Sequence, residues 1–252
     1  MGEVEPTVFL RLFYDGEGYS GWAKQPHRRT IQGELERALK ISGAQPVRLG
    51  CASRTDAGVS ALRQVVRVKY SGRLVPEALN RLLPPSVAVT HIASKASGPF
   101  GKRYLYLTGR KWVPSDRLRR ALRVLESAQP VSRLFNKGGS APSGGLQVSH
   151  MRLGGFIALV FEAPGFGWKE VRRTVGALDV VVSGSADPEE VLSLRAARPA
   201  EPLGLLLLEV SASADWRPVH SGLLKARHYL LSKIERAEWT KQKWLYAYDS
   251  LT

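Results

Sequence analysis

The chain has 252 residues, 44% hydrophobic and 23% charged, enough to bury one large core or two fused ones. Its 37 Lys and Arg against 22 Asp and Glu give a formal net charge of +15, which calls for a polyanionic partner, either nucleic acid or an acidic membrane surface. One cysteine, Cys51, excludes an internal disulfide or a cysteine-built zinc site, the five histidines are scattered singly, and no apolar run approaches the ~20 residues that span a bilayer. The acidic stretch Met1 to Pro6 is too short for a secretory signal, so a cytoplasmic protein without structural metal or other cofactor is expected.

In chain order, Val8 to Tyr14 alternates as a half-buried strand does. Thr30 is a plausible N-cap for a helix with Ile31, Leu35, Ala38 and Leu39 on one face. Strands are predicted at Val47 to Ala52 and Gln64 to Tyr70, with Asp56 in the loop between them. Pro76 opens a helix through Leu83, and Val87 to Ile92 closes a βαββαβ unit. The rhythm then repeats. Tyr104 to Gly109 reads as a strand and Ser115 to Ser127 as a helix lined by Leu118, Leu122 and Leu125. Leu146 to Leu153 and Phe156 to Ala163 form a hairpin about Gly154-Gly155, after a Gly/Ser-rich loop from Asn136 to Gly145. A helix runs from about Lys169, Asp187-Pro188-Glu189-Glu190 starts another, and Leu205 to Val210 is the last buried strand. A helix around Leu223 to Glu238 is expected in the basic, aromatic tail. The division predicted is 1–97 and 98–252.

Gly16-Glu17-Gly18-Tyr19-Ser20-Gly21 matches the spacing of a dinucleotide-binding loop directly after a strand. Such a loop needs a helix opening on its glycines, so that the helix N-terminus meets the pyrophosphate. Here Pro26 and the polar run to Arg29 delay the helix to about Thr30, and the nucleotide-binding reading fails on context.

The segment Ser53-Arg54-Thr55-Asp56-Ala57-Gly58 puts an arginine, a hydroxyl and a carboxylate on one short turn. Taken alone, an Asp two residues before a Gly is ordinary turn chemistry. The segment resembles the Arg-Thr-Asp-Ala-Gly signature of the TruA-type tRNA pseudouridine synthases, whose single aspartate is catalytic. Tyr14-Asp15-Gly16 with Tyr19, Gly21 and Trp22 resembles the opening loop of that family, and Thr30-Ile31-Gln32 the helix entry after it. Lys102-Arg103-Tyr104-Leu105-Tyr106 is similar to the second motif, and Phe166, Val171, Arg172, Val175, Gly176 and Leu178 follow the spacing of the third. Gly204-Leu205 resembles the last. The chain departs from the pattern at Ser53, where Gly is usual, at Ser60, where His is common, and at Ser97-Gly98-Pro99-Phe100, which replaces a Phe-His-Ala-Arg stretch.

The resemblance implies an α+β fold of two fused βαββαβ (ferredoxin/RRM-like) halves, with antiparallel sheets, flanking helices and an active-site cleft between the halves. It implies a homodimer that isomerises uridine in tRNA, with the anticodon stem-loop as the expected region and no cofactor. Asp56 would be the catalytic carboxylate, acting on the uracil ring or at the sugar, an order the residues leave open. Arg172 would keep it charged in a dry pocket, since a nearby guanidinium favours the ionised form. Tyr104 would stack on the uracil and is the candidate acceptor of its carbon-5 proton. Arg54 is the candidate to fill the gap left in the RNA, Leu205 an apolar wall, and Thr55, Lys102 and Arg103 further substrate contacts. Lys24, Arg28 and Arg29, Arg117 to Arg123, Arg172 and Arg173, and Lys225 to Lys243 offer cations for phosphates. Trp22, Trp112, Trp168, Trp239 and Trp244 lie among them as stacking candidates. The rival readings are a basic RNA-binding module without catalysis and a related synthase acting at another tRNA site.

Overall fold

A computed structural model describes residues 5–98, 100–109, 112, 115–127, 145–194, 197–236 and 241–250. Of the sequence-based expectations, Trp239 and most of the Gly/Ser-rich loop (136–144) lie outside the described residues. The chain forms two compact units, residues 1–99 with 207–252 and residues 100–206. The division thus differs from the expected 1–97 and 98–252, because the tail packs within the first unit.

The first unit contains β1 (Thr7–Tyr14), α1 (Ile31–Ile41), β2 (Ala44–Cys51), β3 (Ser60–Gly72), α2 (Pro76–Leu82), β4 (Val87–Ala93) and a two-residue β5 (Ala96–Ser97). Pairing runs β4-β1-β3-β2 and is antiparallel throughout, the order of a βαββαβ unit. Apolar strand residues such as Leu10, Leu12, Val66 and Val89 are fully buried. Against them α1 lays its stripe of Ile31, Leu35, Ala38 and Leu39, all buried as the spacing predicts. Thr30 caps the helix, its hydroxyl accepting the Gly33 N–H at 3.2 Å. Pro76 sits in the first turn of α2, where its missing N–H costs nothing.

The second unit contains β6 (Lys102–Leu107), α3 (Asp116–Ser127), β7 (Gln147–Leu153), β8 (Phe156–Ala163) and α4 (Glu170–Val182), then two short 3-10 turns, Pro188–Leu192 and Pro202–Gly204. Here β8 lies between β6 and β7, antiparallel to both. Leu153 faces Phe156 across the two-residue turn at Gly154-Gly155, as the sequence predicts. The predicted helix start at Asp187 is a single 3-10 turn closed by a capping box between Asp187 and Glu190.

The strand β9 (Leu205–Val210) carries the chain back into the first unit, followed by β10 (Ser213–Ala214), β11 (Arg217–Pro218), α5 (His220–Arg236) and α6 (Lys241–Asp249). β10 pairs with β5 and β11 with the edge of β4. Lys225 on α5 donates to the carbonyls of Asn80 and Leu83 at 2.6 and 2.7 Å, closing the C-terminal end of α2. Trp244 on α6 is 1% exposed and meets Phe13 of β1 edge-on. These contacts are why the tail belongs to the first unit. The two-residue strands and α6 have no counterpart in the sequence reading, since elements so short, or so irregularly patterned, show no periodicity.

Candidate active site

The segment 52–59 joins β2 to β3 and holds Asp56 at the head of a turn. The Val59 N–H donates to the Asp56 carbonyl at 3.2 Å, and Gly58, third in the turn, has φ +78°. A residue in the left-handed region is required there, and glycine adopts it without steric cost. The Asp-Ala-Gly spacing is therefore local turn chemistry that fixes where the carboxylate begins. Along this loop Arg54 is exposed, Thr55 buried and Asp56 half-buried.

Two layers brace the loop. Gln64, fully buried in β3, donates to the Ser53 carbonyl at 2.5 Å and accepts the Ser53 N–H at 3.2 Å, as a neighbouring strand would. Its amide also donates to the Tyr14 hydroxyl at 3.3 Å, and that hydroxyl shares a hydrogen bond with Thr55 at 2.8 Å. The Thr55 hydroxyl thus points inward to Tyr14. On the other side, the Trp22 N–H donates to the Thr55 carbonyl at 3.1 Å. Gly21, at φ +97°, comes so close that a Cβ there would stand 2.9 Å from the same oxygen.

Asp15, 1% exposed, anchors the opening loop. It accepts from Ser60 at 3.2 Å, from the Glu17 N–H at 3.1 Å and from the Tyr229 hydroxyl at 2.7 Å, and pairs with Lys233 at 3.1 Å. Ser60 in turn accepts the Gly16 N–H at 3.1 Å. Burial, then the bond to Asp15, pushes the Tyr229 phenol up and keeps it a donor.

In the second unit, Tyr104 on β6 is 6% exposed, its ring edge-on to Phe166 with centroids 5.4 Å apart. Lys102 is half-buried and Arg103 exposed on the same strand, while Leu205, at the start of β9, is buried. Arg172, half-buried on α4, donates through Nε to the Ala200 carbonyl at 2.7 Å, and its own carbonyl accepts the Ala200 N–H at 2.8 Å. Burial pushes the Tyr106 phenol up to about 12, the Arg172 charge opposing the shift. The expected site residues are therefore distributed, with Arg54, Thr55 and Asp56 in the first unit and Lys102, Arg103, Tyr104, Arg172 and Leu205 in the second.

Sequence reasoning placed Asp15 in the opening loop but missed Gln64, Tyr229 and Lys233 as parts of this arrangement. The available signals were a glutamine inside an apolar strand and a Tyr and Lys four apart on one helix face. Several cations expected to meet phosphate also have partners within the protein. Lys24 pairs with Glu36, Arg29 with Glu34, Arg119 with Asp116 and Arg120 with Glu189, and Arg117 donates to the Val181 carbonyl. Trp22, Trp112 and Trp244 are at most 4% exposed and serve the core, whereas Trp168 is 61% exposed. Among the described residues no cluster of His, Cys, Asp or Glu could hold a metal ion, and no helix is long and apolar enough to cross a membrane.

No family model matches the chain. Curated relatives do. The chain is 30% identical over 236 residues to the tRNA pseudouridine synthase A of Pyrococcus horikoshii, covering 86% of this chain and 89% of that protein. It is 32% identical over 243 residues to the tRNA pseudouridine synthase A of Acetivibrio thermocellus, covering 81% and 98%. The protein of that name from Pyrococcus abyssi aligns at 27% identity over 257 residues, covering 96% of each. With identity of 30% or more extending over nearly the whole length of such relatives, the chain belongs to the tRNA pseudouridine synthase A family.

Proposed function

We propose that this protein isomerises uridine to pseudouridine in tRNA, with Asp56 as its catalytic carboxylate. The observation that carries the reading is the braced turn: a half-buried carboxylate leads it, and Tyr14, Gln64 and Trp22 hold the residues just before it. Such bracing is what a side chain needs if it must meet a reacting atom within a few tenths of an ångström. Membership in the family supports the same reading.

The reaction breaks the bond from N1 of uracil to the ribose, turns the base and forms a bond from carbon 5 to the same ribose carbon. A proton leaves carbon 5 and one is gained at N1, so no oxidant, metal or second substrate enters the balance. Asp56 adds to the ring or assists at the sugar. Tyr104 stacks on the uracil and takes the carbon-5 proton, Arg172 supports the ionised carboxylate, and Leu205 walls the ring. Arg54, exposed beside the nucleophile, fills the gap left when the uridine leaves its stack. Thr55 contributes through the loop it holds against Tyr14, and Lys102 and Arg103 contact the RNA. The anticodon stem-loop is the substrate region, and the protein works in the cytoplasm as a homodimer, both on the pattern of the family it resembles.

Mapping pseudouridines in tRNA from cells with and without this protein tests the reading. One or more sites lost with the protein and restored by wild type, but not by Asp56→Asn, is the expected result. Unchanged maps would leave the rival, a basic RNA-binding protein without catalysis.

A further inference from the structure

Among the described tryptophans, Trp168 stands apart in facing solvent, 61% exposed, and in carrying two cations. Lys169 Nζ lies 4.5 Å and Arg173 Cζ 4.7 Å from its ring centroid. An indole left in water forgoes the stabilisation that burial gives it, and Lys169 adds a second cost by holding φ +55° at the start of α4. Backbone strain of this kind persists only where neighbouring contacts maintain it, and it collects at ligand clamps. Here the buried Glu170 carboxylate maintains it by accepting the Gly167 N–H. The same segment carries Phe166, whose ring meets Tyr104 edge-on. Two residues of chain keep the Cα atoms of Phe166 and Trp168 within about 7 Å.

We infer that Trp168, Lys169 and Arg173 form a platform for a nucleotide next to the target uridine, its base stacked on the indole and its phosphates against the two cations. The inference rests on the proposed activity, which makes Tyr104 the uracil contact. An enzyme that takes a base out of its stack must hold the flanking nucleotides, and an aromatic face does so whatever the sequence. The chemistry favours RNA over a membrane surface, because one flat ring with two cations matches a single base and its phosphates, whereas an acidic bilayer calls for a wider apolar face.

The test uses the full chain and fluorescein-labelled tRNA whose modified uridine has been mapped, measuring affinity across a salt series and single-turnover rate. Trp168→Ala should weaken binding by about 5- to 150-fold and Trp168→Phe should restore most of it. Lys169→Gln with Arg173→Gln should lower the salt slope by about 1.4 to 1.8. Replacing the nucleotide on either side of the target with an abasic one supplies the decisive arm. On one side the loss should match that of Trp168→Ala, and combining the two should add nothing further. Strictly additive losses, or wild-type affinity in Trp168→Ala, overturn the platform while leaving the activity intact. If the wild type makes no pseudouridine, the activity fails and the flanking-nucleotide assignment falls with it. Binding of the wild type to anionic vesicles, lost in Trp168→Ala, would instead make this a membrane contact.

Discussion

The hydroxyl of Tyr229 donates to Asp15 Oδ2 at 2.7 Å, joining residues 214 apart in the chain. Through it α5 grips the loop that backs the Asp56 turn, since Asp15 also binds Ser60 and the Glu17 N–H. Tyr229→Phe removes one donor to a buried carboxylate, expected to cost about 1.5–3 kcal/mol in urea unfolding. The single-turnover rate should fall while tRNA affinity holds. Unchanged stability would mean that Lys233 and Ser60 satisfy Asp15 on their own.

Asp56→Asn keeps the turn, because Val59 bonds the backbone carbonyl of residue 56 and not its side chain. If Asp56 is the catalytic carboxylate as proposed, the amide cannot replace it, and isomerisation should fall by more than about 10⁴-fold, with wild-type tRNA binding and melting temperature. Appreciable turnover by the purified variant removes Asp56 from the chemistry.

If Arg172 supports Asp56 as proposed, Arg172→Ala should slow single turnover by about 10²- to 10³-fold, since a nearby guanidinium favours the ionised carboxylate. Arg172→Lys keeps the charge but loses the planar fork, including the Nε donor now on Ala200, and should fall between the two. The salt dependence of tRNA binding should barely move for either. Wild-type rates with a salt slope lowered by about one unit would make Arg172 a phosphate contact.

His91 offers a test by pH. Burial, reinforced by the Arg11 and Arg63 guanidiniums, holds its imidazole down at about 4, while in the unfolded chain it titrates near its ordinary value of about 6.5. Between those values the unfolded state binds the extra proton, so stability is present above about pH 6.5 and is lost as pH falls towards about 4. His91 is half-buried, and solvent screening reduces the effect to about 1–2 kcal/mol. His91→Gln should flatten the decline relative to wild type in melts from pH 7 to 4.5. Parallel curves would place the acid sensitivity elsewhere.

The sequence by itself determined what depends on near neighbours. The stripe of Ile31, Leu35, Ala38 and Leu39, the Thr30 cap, the Gly154-Gly155 turn and the Asp56-Ala57-Gly58 turn each follow from residue spacing and backbone sterics, and each stands in the structure as predicted. The order of elements followed too, since strand and helix periods show in single segments.

Tertiary structure alone decided which polar groups face each other across long stretches of chain. Gln64 reads as any strand residue until the fold puts its amide on Ser53 and Tyr14. Asp15 and Tyr229 have no common signal in sequence, and the return of the tail from 207 into the first unit is what pairs them. The same holds for the cations, which the net charge counts alike: the fold turns Lys225 inward to carbonyls and sets Lys169 and Arg173 on an exposed indole. Periodicity records whether a residue is buried, but a hydrogen bond depends on distance and direction between atoms, and only the packed chain sets those.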